Sequence, residues 1–238
     1  MSKIMTSETL RSFAYTNEHL IAGEIRGIIV QFEGLGFSSM QGEDGAYDRE
    51  LAARGVIRVV PYYNPWSWMN QQAVDYTDEI LDVLEAKHLV KPKLVSCGGS
   101  MGGLCAIVFC RYSAHREQIV SCVTNCPVCD LPFHFTERPD LPRTLYSAYG
   151  TEPDFDAALR AHSPLHLAQA GELPDIEYHD IHCEADGAVN IDRHSVPFVA
   201  AMQKNRRITF DRVPERGHCD LTPEWWDRYK AYLLAPFC

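Results

Sequence analysis

No stretch of this 238-residue chain approaches the roughly 20 consecutive apolar residues that span a bilayer, so no transmembrane helix is expected. The first residues, Met1 to Glu8, lack the apolar core of a secretory signal. Positive charge is not in excess either: 22 Lys and Arg against 32 Asp and Glu leave a net charge of -10, which argues against nucleic acid or an anionic membrane as a partner. There is no internal repeat and no linker. Phosphate-loop chemistry is missing, because the one glycine-rich stretch ends in Gly102-Gly103 rather than in the lysine of a nucleotide loop. Cys122, Cys126, Cys129 and His134 are spaced loosely like ligands, but no second ligand pair accompanies them; neither a metal nor an organic cofactor is expected. Oligomeric state leaves no mark on the sequence.

Cysteine, in contrast, is plentiful. Nine is an odd count, and Cys97, Cys105, Cys110 and Cys122 fall in apolar segments. That pattern suits reduced, packed thiols and a cytoplasmic location better than a disulfide framework. With 46% hydrophobic and 23% charged residues, the composition is that of a soluble globular protein, and residues 1–238 are expected to form a single α/β domain.

Strands and helices alternate along the chain. β-branched or apolar runs at 27–32, 56–60, 93–96, 119–123, 176–181 and 207–213 read as strands, with a short one at 12–15. Segments 46–54, 72–88, 192–204 and 223–234 carry helical spacing, and Pro223 suits a first helical turn. Such alternation predicts a mostly parallel sheet with helices on both faces. Residues 127–172 hold most of the prolines and no strong strand pattern. They are expected to form an irregular and helical, cap-like insert over the sheet edge where ligands bind.

The stretch Cys97-Gly98-Gly99-Ser100-Met101-Gly102-Gly103 lies between a predicted strand and a predicted helix. Gly-x-Ser-x-Gly in that context is a nucleophile elbow: a turn too tight for side chains beside the serine, which lifts the hydroxyl above a helix N-terminus suited to a developing oxyanion. A serine hydroxyl needs a base to take its proton, and the base works best when a carboxylate orients it. Asp186 follows one downstream strand and His218 the next, so the order Ser100, Asp186, His218 places all three at the carboxyl ends of strands on one edge. Glu184 and Asp180 are alternative acids, although Asp180 sits inside its strand and points sideways. His182 is an alternative base at the wrong strand end for this order, and Cys97 an alternative nucleophile that reads as a buried strand thiol.

Taken together, Gly98-Gly99-Ser100-Met101-Gly102-Gly103, Ala161-His162-Ser163-Pro164-Leu165, His182-Cys183-Glu184-Ala185-Asp186-Gly187-Ala188-Val189 and Gly217-His218 resemble an α/β-hydrolase. Over roughly 24–235 they are similar to the catalytic domain of the prolyl oligopeptidase family and related esterases. The resemblance implies the α/β-hydrolase fold, with Ser100 as nucleophile, His218 as general base and acid, and Asp186 as its orienting carboxylate. It also implies an oxyanion hole made by the backbone N–H groups of Met101 and Leu35, with Gly36 as an alternative to Leu35. Relatives usually carry His-Gly where this chain has Glu33-Gly34, which sets a carboxylate near the pocket. Glu33 is therefore a candidate partner for a substrate amino group, against a solvated or paired structural glutamate. Trp66 and Trp68 are candidate pocket walls, against plain core packing. The expected activity is cleavage of a small carboxylic ester through an acyl-enzyme, with a serine peptidase acting on short peptides as the alternative and a non-catalytic small-molecule binder as a third reading.

Overall fold

The computed structural model describes residues 4–37 and 40–238; Met1 to Lys3, Ser38 and Ser39 lie outside the described residues. Among the described residues seven strands form one sheet: β1 (Ala14–Thr16), β2 (Gly27–Phe32), β3 (Val56–Pro61), β4 (Lys93–Gly99), β5 (Ile119–Asn125), β6 (Glu177–Cys183) and β7 (Arg207–Val213). Their order is β1-β3-β2-β4-β5-β6-β7. All neighbours are parallel except β1, which runs antiparallel to β3. The short strand lies at 14–16 rather than 12–15, because Leu10–Ser12 winds into a 3-10 turn first.

Side chains alternate between two apolar clusters, as the pleat of a doubly covered sheet requires. Ile28, Val30 and Phe32 of β2 pack on one face with Ile80 and Leu84 of α2 (Gln71–His88) and with α3 (Met101–Tyr112), whose residues 101–110 are all buried. Ile29 of β2 and Val95 and Cys97 of β4 pack on the other, with Leu51 of α1 (Ala46–Ala53) and Tyr229 and Leu233 of α9 (Pro223–Leu234).

Residues 127–172 are mainly helical. Four short helices connect β5 to β6: α4 (Leu131–Glu137), α5 (Leu141–Tyr149), α6 (Phe155–Ala161) and α7 (Pro164–Ala170). Pro132, Pro142 and Pro164 sit in first turns, where their missing N–H is no loss. Asp130 and Asp154 cap their helices by accepting from Phe133 N at 3.1 Å and Ala157 N at 2.9 Å. Downstream, α8 spans Ser195–Met202, shorter than the 192–204 expected. Asn190 closes its own turn there, accepting from Arg193, His194 and Asp192 N–H groups.

The winding of the sheet reverses between β2 and β4, since β3 lies on one side of β2 and β4 on the other. In an open parallel sheet a ligand crevice forms at the carboxyl ends of the strands at such a point. Among the described residues no helix is long and apolar enough to cross a membrane.

Candidate active site

At the end of β4 the backbone turns into α3 through Ser100, whose φ of 58° and ψ of -126° are strained for a residue with a side chain. The flanking glycines are a steric necessity. A Cβ at Gly98 would lie 2.3 Å from the Gly102 carbonyl oxygen, and one at Gly102 would lie 2.1 Å from that of Phe32. Hydrogen bonds pin the strained turn: Ser100 N–H donates to Asn125 O at 3.0 Å, and Ser100 O accepts from Gly103, Leu104 and Val128.

Met101 opens α3, so its N–H has no acceptor within the helix. Across from it, the segment after β2 runs so close that a Cβ at Gly34 would lie 3.9 Å from Ser100 Cβ. Leu35 N–H pairs with no described residue, whereas Gly36 N–H is taken by Pro65 O at 3.2 Å. Of the two N–H groups considered for the second oxyanion donor, Leu35's is thus the available one.

Asp186 and His218 meet at 2.7 Å between Oδ2 and Nδ1. Backbone bonds from Glu184 N to Val213 O and from Ala185 N to Arg216 O tie the two loops together. Asp186 Oδ1 accepts from Ala188 N at 2.8 Å and Val189 N at 2.9 Å. Burial alone would raise the Asp186 carboxyl, but hydrogen bonds from His182, His218 and these two N–H groups outweigh it and hold it well below the usual carboxylate range. Burial would likewise lower His218; the hydrogen bond to Asp186 and the neighbouring Cys126 push it up to about 9.

Ser100, His218 and Cys219 line one cleft of about 1130 Å³, together with Glu33, Leu35 and Trp66. Among the described residues no hydrogen bond joins Ser100 Oγ to His218. The imidazole Nε2 lies instead 3.8 Å from Cys219 Sγ.

The competing residues are placed elsewhere. His182 lies at the carboxyl end of β6, the strand that leads to Asp186, and so precedes the acid instead of following the next strand. Its nitrogens are already engaged: Nδ1 with Ser195 Oγ at 2.6 Å and Nε2 with Val189 O at 3.0 Å, while Asp186 Oδ2 lies 3.4 Å from Nε2. Asp180 is buried inside β6 against Thr124. Glu184 faces solvent and pairs with Arg212. Cys97 is buried in β4, and desolvation pushes its thiol up to about 12.

Trp66 lines the cleft under the Arg143 guanidinium, 5.4 Å from its ring centre. Trp68 reaches the cleft too, yet it is fully buried, and its Nε1–H donates to Thr144 Oγ1 at 3.0 Å. It is a wall built from the core, not a free aromatic face. Glu33 accepts from Gln31 Nε2 at 2.9 Å. Burial raises its carboxyl, against the Gln31 bond and the Arg58 charge. Ser163, of the Ser-Pro pair, splints the start of the insert: its Oγ donates to Cys129 O and accepts from Leu131 N.

Cys122, Cys126, Cys129 and His134 do not converge. Cys122 and Cys129 are buried in the core, while Cys126 stands beside His218 and Cys219. Sequence reasoning missed Cys126 and Cys219 as neighbours of the imidazole, and Arg143 as a cleft residue. Three groups of described side chains converge closely enough to hold a cation: Cys126–His218–Cys219, Cys126–His182–Asp186 and His134–Glu137–His194. In the last, His194 Nδ1 accepts from Cys129 N and Asp130 N, both at 3.1 Å, so its proton sits on Nε2 and donates to Glu137. That fixes the group as a hydrogen-bonded brace. In the second, His182 has no free nitrogen.

No protein-family model and no curated protein matches the sequence. Solved structures do match. An S-formylglutathione hydrolase from Agrobacterium tumefaciens superposes with a TM-score of 0.66 at 17% identity, over 92% of this chain and 88% of that one. A thermophilic esterase from Thermogutta terrifontis, with propionate bound, gives a TM-score of 0.62 at 25% identity, over 93% of this chain and 86% of that one. A puromycin hydrolase gives 0.72 at 16% identity over 91% of this chain, which spans only 35% of that one.

The chain has the α/β-hydrolase fold. In it, the short helices of 127–172 stand between β5 and β6 and supply Arg143 and Thr144 to the cleft. The sheet order and the strained turn after β4 are the parts of this fold that bring residues 100, 186 and 218 to one edge.

Proposed function

We propose that the chain is a serine hydrolase that cleaves a small carboxylic ester through an acyl-enzyme. One observation carries the reading: Ser100, held in a strained elbow, opens into the same cleft as a His218 that is hydrogen-bonded to a buried carboxylate. In this mechanism Asp186 fixes the proton of His218 on Nδ1 and leaves Nε2 as the base. Ser100 Oγ attacks the ester carbonyl as Nε2 takes its proton. The Met101 and Leu35 N–H groups hold the tetrahedral oxyanion. The imidazolium then gives its proton to the leaving alkoxide, and water, activated the same way, releases the acid. For this cycle Nε2 moves from its resting place by Cys219 to Ser100. The helices of 127–172 act as the cap that shapes the acyl pocket, with Trp66 and Trp68 as its wall.

A peptidase reading has its own support. Glu33 is a half-buried carboxylate on the cleft wall, and among the described residues no cation is bonded to it, as a substrate amino group would need. The ester reading is preferred because the S-formylglutathione hydrolase and the Thermogutta esterase are matched over 88% and 86% of their own length, whereas the chain spans only 35% of the puromycin hydrolase.

A fluorophosphonate probe tests the proposal. Labelling of Ser100 that vanishes in Ser100→Ala supports an enzyme, whereas an unlabelled wild type leaves only a binder. Turnover of p-nitrophenyl acetate against an aminoacyl p-nitroanilide separates the two subclasses. A preference for the anilide that is lost in Glu33→Gln overturns the esterase assignment.

A further inference from the structure

The resting imidazole faces sulfur. Cys126, His218 and Cys219 each offer a ligand atom, and the three atoms lie within 4.8 Å of one another. We propose that Cys126, His218 and Cys219 form a binding site for a thiophilic divalent cation of the zinc class, which shuts the hydrolase off by taking the Nε2 lone pair of His218. Only the inhibitory consequence rests on the reading of His218 as the base; the binding does not.

Four features of the geometry support a built site. First, the two cysteines are 93 positions apart, yet each is held with positive φ, 49° at Cys126 and 55° at Cys219. This conformation is uncommon for a residue with a side chain and marks backbone held in place by its surroundings. At Cys219 it lets two adjacent side chains turn toward one point. Second, Cys126 Sγ already accepts from the backbone N–H groups of Cys183 at 3.3 Å and Cys219 at 3.4 Å, which hold the sulfur in place beside the imidazole. Third, His218 donates Nδ1–H to the Asp186 carboxylate. This is the arrangement a metal-bound histidine ordinarily has, with the far nitrogen free. Fourth, an entry path exists, because His218 and Cys219 both line the open cleft.

The dimensions fit. Zinc–sulfur bonds of about 2.3 Å in a tetrahedron set sulfurs roughly 3.8 Å apart, with nitrogen slightly nearer. The Cys219 Sγ to His218 Nε2 distance is already 3.8 Å. The two thiols, and Nε2 wherever the imidazole is protonated, release their protons to solvent as the two sulfur–metal bonds and the nitrogen–metal bond form. The two thiolates neutralise the 2+ charge, and water keeps the fourth position, on the cleft side. Sulfur ligands select zinc, cadmium or cobalt against magnesium or calcium.

The test uses Co²⁺ on the full chain under anaerobic conditions. One equivalent is expected to bring up a thiolate-to-cobalt charge-transfer band with tetrahedral d–d bands. Losing an outer-shell partner of a metal costs 10- to 100-fold, so Cys126→Ser and Cys219→Ser should each weaken binding by roughly 100-fold or more. Zn²⁺ should inhibit ester turnover by the wild type, reversibly on chelation, and should not inhibit Cys126→Ser relative to that variant's own metal-free rate. In the unaltered protein, Zn²⁺ should slow alkylation of Cys219 by iodoacetamide and leave the exposed Cys238 unprotected. A wild type without the thiolate band, a band that survives in the double serine variant, or unprotected Cys219 overturns the site. A cobalt band in a chain that hydrolyses nothing refutes the proposed function and leaves the metal site standing. Full turnover with the site saturated refutes the inhibition.

Discussion

Asp186→Asn separates the electrostatic from the purely spatial role of this side chain. In the native site the imidazole of His218 is pushed up to about 9 from an ordinary 6.5, a difference worth about 3 kcal/mol between its two protonation states. Part of that comes from Asp186 and part from Cys126. The His218 side chain is 29% exposed, so water screens some of it. Asparagine has nearly the same shape but loses the charge, and its two ends are unequal. Its oxygen is claimed by the Ala188 and Val189 N–H groups, which turns the NH₂ toward His218 Nδ1. That nitrogen must then accept, the ring proton moves to Nε2, and the base lone pair is lost. A wrong tautomer of this kind costs about 10⁴ in kcat.

The sign of the pH effect follows from the same pair. Its folded value is raised, so the stability it supplies is fully present below 6.5 and is lost as pH rises through about 9. Asp186→Asn should therefore cost more stability in urea unfolding at pH 6 than at pH 10. In buffer stripped of transition metals, the NMR titration midpoint of His218 should fall from near 9 toward or below 6.5. Ester turnover by the wild type should climb with pH as the imidazolium gives up its proton. A midpoint that stays near 9 in the variant, or a kcat within about tenfold of wild type, refutes the argument that Asp186 sets both charge and tautomer.

Other substitutions probe the scaffold and the cleft. Ser100→Ala should lower turnover by about 10⁶, the scale on which such catalytic units fail, and a drop below about 100-fold on purified protein refutes Ser100 as nucleophile. Gly102→Ala sets a Cβ 2.1 Å from Phe32 O and 2.9 Å from Glu33 O, both backbone, so unfolding should be easier by about 3 kcal/mol and turnover should fall as the Leu35 segment shifts. Gly187→Ala meets nothing within 4 Å and should stay within about 0.5 kcal/mol of wild type in the same denaturation assay. Trp68→Phe strands Thr144 Oγ1 without its donor and opens a gap in the wall, so it should cost about 2 kcal/mol and raise KM more than it lowers kcat.

What the sequence revealed and what it hid have a common physical origin. Strands β2 to β7 were legible because a doubly covered sheet demands apolar, β-branched runs, and such runs are local. The elbow was legible because only glycine fits where α3 meets the Phe32 carbonyl. Residues 127–172 were not legible as four helices, since proline carries two meanings. Inside a helix it breaks the ladder, but at Pro132, Pro142 and Pro164 it starts one, and α4, α6 and α7, at seven residues each, are too short to show a clear apolar stripe. The Ser163 hydroxyl that splints this segment gives no periodic signal either. Least legible was the company His218 keeps. Its place was readable from a strand end and a glycine, but the direction of its ring depends on left-handed turns at Cys126 and Cys219. Those turns join chain segments that no local pattern connects. Cysteine in an apolar strand is inert packing in most of this chain, as at Cys97 and Cys122. The same residue one position past the end of β5 becomes chemistry, because the sheet ends there and the cleft begins.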